Sequence, residues 1–119
     1  MSVARILVVD DDPAVQGVVT DLLAEAGHYL EAAGSPAAAL DAVTRDAWDL
    51  VICDLQLCRG SGAALSQQIV TQRPELARRI ILLSGEIDTL EEGAGRFPLV
   101  PKPFHVDEML RAVDAGLAA

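Results

Sequence analysis

The sequence predicts an α/β fold: a doubly wound, five-stranded parallel sheet of order 2-1-3-4-5, with helices on both faces. Three observations carry that prediction. Five short apolar runs alternate with segments of helical periodicity along the 119 residues, the pattern produced by strand–helix–strand crossovers. Ile6 to Val9, Leu50 to Cys53 and Ile80 to Leu83 are continuously apolar, as strands covered on both faces require. Hydrophobic residues make up 51% of the chain but aromatic residues only 3%, so the core is built from Val, Ile, Leu and Ala. A chain of this length fits one domain, taken as residues 1–119, and is too short for two.

Each element has its own local reason. Ile6-Leu-Val-Val9 stops at Asp10 and reads as the first strand. Asp12-Pro13 reads as an N-cap and first helical residue, since proline has no amide hydrogen to waste there. Val15, Val18, Val19, Leu22, Leu23 and Ala26 follow at helical spacing, and Gly27 closes the helix. His28 to Ala33 is a more polar second strand, which places it toward a sheet edge. Ser35-Pro36 opens a second helix running to about Asp46, with Leu40 and Val43 facing inward. Leu50 to Cys53 is the third strand and ends at Asp54. The loop Arg59-Gly-Ser-Gly62 leads into a third helix carrying Leu65 and Ile69, which stops near Pro74.

Ile80 to Leu83 is the fourth strand and ends at Ser84. Residues 86–95 make a weak helix at best: Asp88 and Glu91 have capping-box spacing, but Gly93 and Gly95 cut the segment short. Phe97 to Pro101 is the fifth strand, and its prolines, unable to donate to a ladder, assign it to an edge. Val106, Met109, Leu110, Val113 and Leu117 define the final helix, with Asp107 and Glu108 favourably placed in its first turn.

Composition excludes several functions. A formal net charge of -9 repels phosphate backbones, so nucleic acid is not an expected partner of this chain. Cys53 and Cys58 lie too close in sequence for a disulfide framework and lack the further ligands of a zinc site. No apolar run approaches membrane-spanning length and no signal-peptide pattern opens the chain, which leads to an expected cytoplasmic location without membrane contact.

The polar residues that punctuate the strands carry the chemistry. Asp10 and Asp11 follow strand 1, Asp54 follows strand 3, Ser84 follows strand 4 and Lys102 follows strand 5. In a parallel sheet these positions share the carboxyl edge, and strands 1 and 3 flank the switch point where the ligand crevice opens. Converging carboxylates repel one another unless a cation lies between them. Oxygen ligands without His or thiolate favour a hard cation, and an open site favours Mg²⁺. A carboxylate beside such an ion, a hydroxyl and a lysine suits phosphoryl transfer, with Asp54 attacking phosphorus. Asp12 is read as a cap, and His28 and His105 as surface or capping groups.

Taken together these motifs resemble the response-regulator receiver family over essentially the whole chain, a flavodoxin-like fold used in two-component signalling. Ile6-Leu-Val-Val-Asp-Asp-Asp-Pro13 is similar to the family's opening strand and acidic pair. Asp54-Leu-Gln-Leu-Cys-Arg-Gly-Ser-Gly62 resembles its phosphorylation loop, Leu-Leu-Ser-Gly85 its hydroxyl motif and Lys102-Pro-Phe104 its lysine motif. The resemblance implies that Asp54 is the phosphoacceptor and that Asp11, Asp54 and the Gln56 carbonyl ligate Mg²⁺, with Asp10 assisting through water. It implies a switch hydroxyl at Ser84, phosphoryl pairing by Lys102, a cis Lys102-Pro103 bond, and tuning of phosphoryl lifetime by Gln56 and Glu86. The partners it implies are a histidine kinase or phosphotransfer protein as donor and a downstream protein target.

The chain also departs from that pattern. Cys58 and Gly60-Ser61 stand where the family's loop usually has Pro and Met-Asp, the stretch from Ser84 to Lys102 is a few residues short, and helix 4 is expected to be short or irregular. Leu99 holds the usual aromatic switch position, with Phe97 as a substitute if the register slips. The short segment looks similar to receivers attached to hybrid histidine kinases, and a chain without an output domain acts by protein contact or as part of a larger protein. Two rival readings are a pseudo-receiver that binds without phosphorylation and a small phosphohydrolase using Asp54 transiently. The second usually needs an acid two residues beyond the nucleophile, where this chain has Gln56.

Overall fold

Strand β1 (Arg5–Val9) lies at the centre of one half of a five-stranded sheet, flanked by β2 (Tyr29–Ala33) and β3 (Leu50–Asp54). The computed structural model describes residues 3–57, 60–85 and 97–119. Beyond β3 come β6 (Ile80–Ser84) and then β7 (Leu99–Pro101), and every neighbouring pair in the sheet is parallel. The order β2-β1-β3-β6-β7 is the expected 2-1-3-4-5 once a small antiparallel ribbon, β4 (Gln56–Leu57) with β5 (Gly60–Ser61), is set apart.

Among the described residues, four α-helices cover the sheet: α1 (Pro13–Glu25), α2 (Pro36–Arg45), α3 (Gly62–Gln72) and α4 (Val106–Ala118). The period of two along each strand divides the core. Leu7, Val9, Val51, Cys53, Ile80 and Leu82 face one layer with Ala39, Ala42 and Val43 of α2 and Ala63, Leu65 and Ile69 of α3. Their alternates Ile6, Val8, Leu50, Ile52, Ile81 and Leu83 face the other layer, with Val19 and Leu23 of α1 and Met109 and Val113 of α4. Two buried faces explain why the central runs are apolar without a break.

The caps follow the local chemistry. Asp12 accepts from the Ala14 amide at 2.9 Å and Ser35 from the Ala38 amide at 3.1 Å, each satisfying an amide that the first turn leaves without a partner. At the other end of α1, the Gly27 amide donates to the Ala24 carbonyl and the His28 amide to the Leu23 carbonyl, a Schellman closure that needs the positive φ of 101° at Gly27.

Four details differ from expectation. His28 belongs to that closure, so the second strand begins at Tyr29. Val18, which fits the helical period, is 58% exposed, because the buried stripe of α1 is narrower than the apolar one. The fifth strand begins at Leu99, and Phe97 enters the core instead of the ladder. Within the expected 59–62 loop, Gly60 and Ser61 form the second half of the β4–β5 ribbon and Gly62 opens α3, with Ser61 capping α3 through the Ala64 amide. The expected weak helix over 86–95, and with it Glu86, lies outside the described residues, as does Cys58.

Candidate functional site

Because the strands are parallel, their carboxyl ends form one edge, and four of the five carry the polar residues singled out above. Asp10 follows β1 directly and is fully buried. Its amide donates to the Ala33 carbonyl at 3.1 Å, which continues the β1–β2 ladder by one step. Asp54 is the last residue of β3 and is 6% exposed. The carboxylate oxygens of Asp10, Asp11 and Asp54 lie within 4.8 Å of one another. Lys102, directly after β7, spans the gap from the far side of the sheet. Its Nζ sits 3.1 Å from Asp10 Oδ2 and 3.2 Å from Asp54 Oδ2. The lysine is placed by its own backbone, whose amide donates to the Ser84 carbonyl at 2.7 Å and so ties it to the end of β6. The Lys102-Pro103 peptide bond is cis, as the resemblance implies.

The electrostatics follow from this crowding. Burial and then the charge of Asp10 raise the Asp54 carboxyl above the ordinary carboxylate range, and Lys102 and the Gln56 amide offset part of that rise. Burial pulls the Lys102 ammonium down, but its hydrogen bond to Asp10 and the charge of Asp54 outweigh this and raise it. Asp10 and Asp54 share one ammonium, and Asp11 adds a third carboxylate to the same pocket. An excess of clustered oxygen donors, with no nitrogen or sulfur ligand among them, fits a hard divalent cation.

The remaining predicted residues are placed as follows. Ser84 ends β6, is 4% exposed, and its hydroxyl donates to the Gly85 carbonyl at 2.9 Å rather than to an acid of the pocket. The Gln56 amide donates to Asp54 Oδ1 at 3.2 Å. Leu99 lies exposed on the edge strand, whereas Phe97 is buried in the apolar layer that α2 and α3 cover. His28 accepts the Ala4 amide at its Nδ1, at 3.2 Å, and His105 caps α4, consistent with bland roles for both.

Sequence reasoning missed two residues that shape the pocket. Gly62, read as the last residue of a loop, opens α3 hard against the acceptor strand: a Cβ there would stand 2.0 Å from the Asp54 carbonyl oxygen. Its signal was a glycine directly after a capping serine, where flexibility is not needed but closeness is. Gln16 of α1 donates from its side-chain amide to the Asp10 carbonyl. A glutamine among the polar positions of a helix carries no such signal.

A doubly wound parallel sheet with a carboxylate cluster and a bridging lysine at its switch point is the architecture of a small ligand- or phosphoryl-handling α/β protein. The model of the response regulator receiver domain family matches residues 6–114, and the chain belongs to that family. It is thus a receiver domain of the two-component signalling type. It is 35% identical to the DNA-binding transcriptional regulator NtrC of Azospirillum brasilense, over 98% of this chain and 25% of that protein. It is 32% identical to the response regulator protein FleR of Pseudomonas aeruginosa, over 92% of this chain and 24% of that protein. Among solved structures, NtrX from Brucella abortus superposes with a TM-score of 0.88 at 32% identity, over 98% of this chain and 27% of that one. A receiver domain protein from Clostridium thermocellum superposes with a TM-score of 0.85 at 27% identity, over 98% and 95% of the two chains. The chain thus spans about a quarter of the length of these curated relatives. They are regulators, so the likeness to hybrid kinases gains no support from them. No described helix is long and apolar enough to cross a membrane.

Proposed function

We propose that residues 1–119 act as one receiver unit that accepts a phosphoryl group on Asp54. The donor is a histidine kinase or phosphotransfer protein, and the product is a modified surface read by a downstream protein partner in the cytoplasm. The observation that carries this reading is the bridge from Lys102 to both Asp10 and Asp54, set in a cluster of three carboxylates whose spacing suits a divalent cation. Asp10, Asp11, Asp54 and the Gln56 carbonyl would hold Mg²⁺, which when bound offsets charge on the phosphoryl oxygens.

The residues themselves do the rest. An Asp54 carboxylate oxygen bonds to phosphorus as the bond from phosphorus to the donor's histidine nitrogen breaks. The imidazole keeps the electron pair and takes a proton from solvent. Lys102 moves from a carboxylate partner to a phosphoryl oxygen at little cost, because both are anionic acceptors within its present reach. Ser84 needs only to exchange the Gly85 carbonyl for a phosphoryl oxygen. Gln56 and Glu86 set how long the acyl phosphate survives. The unit is a switch that assists its own modification, not a turnover enzyme. Nucleic-acid binding is a property named for the NtrC relatives, of which this chain spans a quarter, and the charge of -9 weighs against it for these residues.

Intact mass after incubation with acetyl phosphate tests the reading. One phosphoryl group gained only with Mg²⁺, and lost in Asp54→Asn, is the expected result. A chain that stays unlabelled at every Mg²⁺ concentration would instead be a pseudo-receiver.

A further inference from the structure

We propose that Gln16 is a positioning residue: by holding the Asp10 carbonyl it orients the Asp10–Asp11 peptide, and with it the reach of both acids toward a divalent cation. The inference rests on the reading of the acidic pocket as a cation site. Gln16 is the fourth residue of α1, and its backbone amide makes the first intrahelical bond, to the Asp12 carbonyl at 3.1 Å. Helical side chains lean toward the N-terminus, so a long side chain at this position lies back over the turn that precedes the helix. The Gln16 amide accordingly meets the Asp10 carbonyl, and lies close enough to the loop after β2 that a Cβ on Gly34 would be 3.5 Å from Nε2.

What that bond controls follows from the planarity of the peptide. The Asp10 carbonyl and the Asp11 amide belong to one rigid plane, so fixing the carbonyl fixes the rotation that decides where the Asp11 side chain begins. Asp10 is anchored at three other points: its amide on Ala33, Oδ1 under the Asp12 amide at 2.9 Å, and Oδ2 against Lys102 at 3.1 Å. Of these three, only the Asp12 bond spans the 10–11 peptide, closing an Asx turn that restrains the plane without holding its carbonyl oxygen. With Gln16 removed, the 10–11 plane loses one of its restraints while Asp10 stays buried. A buried carbonyl also needs a donor, and the Gln16 amide is the one that reaches it from α1.

Two variants separate donation from mere packing. Gln16→Met keeps the volume and helix propensity but deletes the donor; Gln16→Arg restores a donor of sufficient reach. Hydrogen exchange in the ion-free protein reads the turn directly through the Asp12 amide. Gln16→Met is expected to exchange there about three- to tenfold faster, the scale of one net hydrogen bond, with β3 and β6 amides unchanged and Gln16→Arg restored. Amide NMR titration with Mg²⁺ alone is expected to show weaker binding by Gln16→Met, by a similar factor. Unchanged Asp12 exchange in Gln16→Met, or Gln16→Arg behaving like Gln16→Met, would overturn the inference. Failure of the unsubstituted chain to bind Mg²⁺ would sink the cation reading, and the ion-free exchange data would still decide the role of Gln16 in the turn.

Discussion

Asp54 is held at the end of β3 in a state that ordinary solution chemistry would not favour. Its carboxyl has been taken out of water and set beside the Asp10 carboxylate, and a single lysine serves both. The folded chain therefore binds a proton at Asp54 more tightly than the unfolded chain does. Stability then falls as pH rises from the ordinary value of 3.8 through the raised one, because the unfolded carboxyl ionises first. In Asp54→Asn that loss is absent. In the presence of a chelator, the variant is expected to melt at a higher temperature than the unsubstituted protein at pH 7. The advantage should shrink to nothing below the ordinary carboxylate range, where Asp54 is neutral in both states. Melting curves across pH check this, and an Asp54→Asn variant less stable at pH 7 would show that the lysine outweighs burial and repulsion. The acids and the lysine were legible in the sequence because each directly follows or ends a predicted strand. Gln16 was not, since its role depends on which way one helical side chain leans in space.

The elements obey rules that a sequence can state, with exceptions where two elements come close. The caps at Asp12 and Ser35, the Schellman closure at Gly27 and the edge placement of the proline-bearing strand all follow from local chemistry. The start of α3 does not. There Gly62 lies so close to β3 that its amide donates to the Leu55 carbonyl at 2.7 Å, and any side chain would strike the Asp54 carbonyl. Gly62→Ala is expected to cost about 3 kcal/mol in urea unfolding, toward the upper end for an overpacked site. The same change at Gly17, where a Cβ meets nothing within 4 Å, is expected to be neutral or slightly stabilising, as helix propensity predicts. Equal costs at the two positions would refute the close approach. The ribbon β4–β5 and the truncated fifth strand were illegible for a related reason: strands of two or three residues are too short to show a period.

At the scale of the molecule, the sheet divides the apolar residues into two layers that cannot form separately, since the same strands supply both. Trp48, the sole tryptophan, is placed to report on this. It is 6% exposed, its indole N–H donates to the Ala42 carbonyl at the end of α2, and the Arg5 guanidinium lies 5.1 Å from its ring. Because Arg5 opens β1 and also stands 4.9 Å from Tyr29 of β2, the indole senses α2 and two strands together. Its emission and the far-ultraviolet circular dichroism are expected to change at the same urea concentration, as one cooperative unit requires. Separate midpoints would show that the α2 layer opens by itself.

The order of strands and helices, the caps, and the presence of three acids and one lysine at strand ends were all decided by the sequence, because they rest on periodicity and on bonds between near neighbours. Which side chains meet was decided by the tertiary structure alone. The lysine shared between Asp10 and Asp54, the glycine pressed against Asp54 and the glutamine over the Asp10 carbonyl each join residues from separate elements. Such distances depend on how the layers pack, and no pattern along the chain records them.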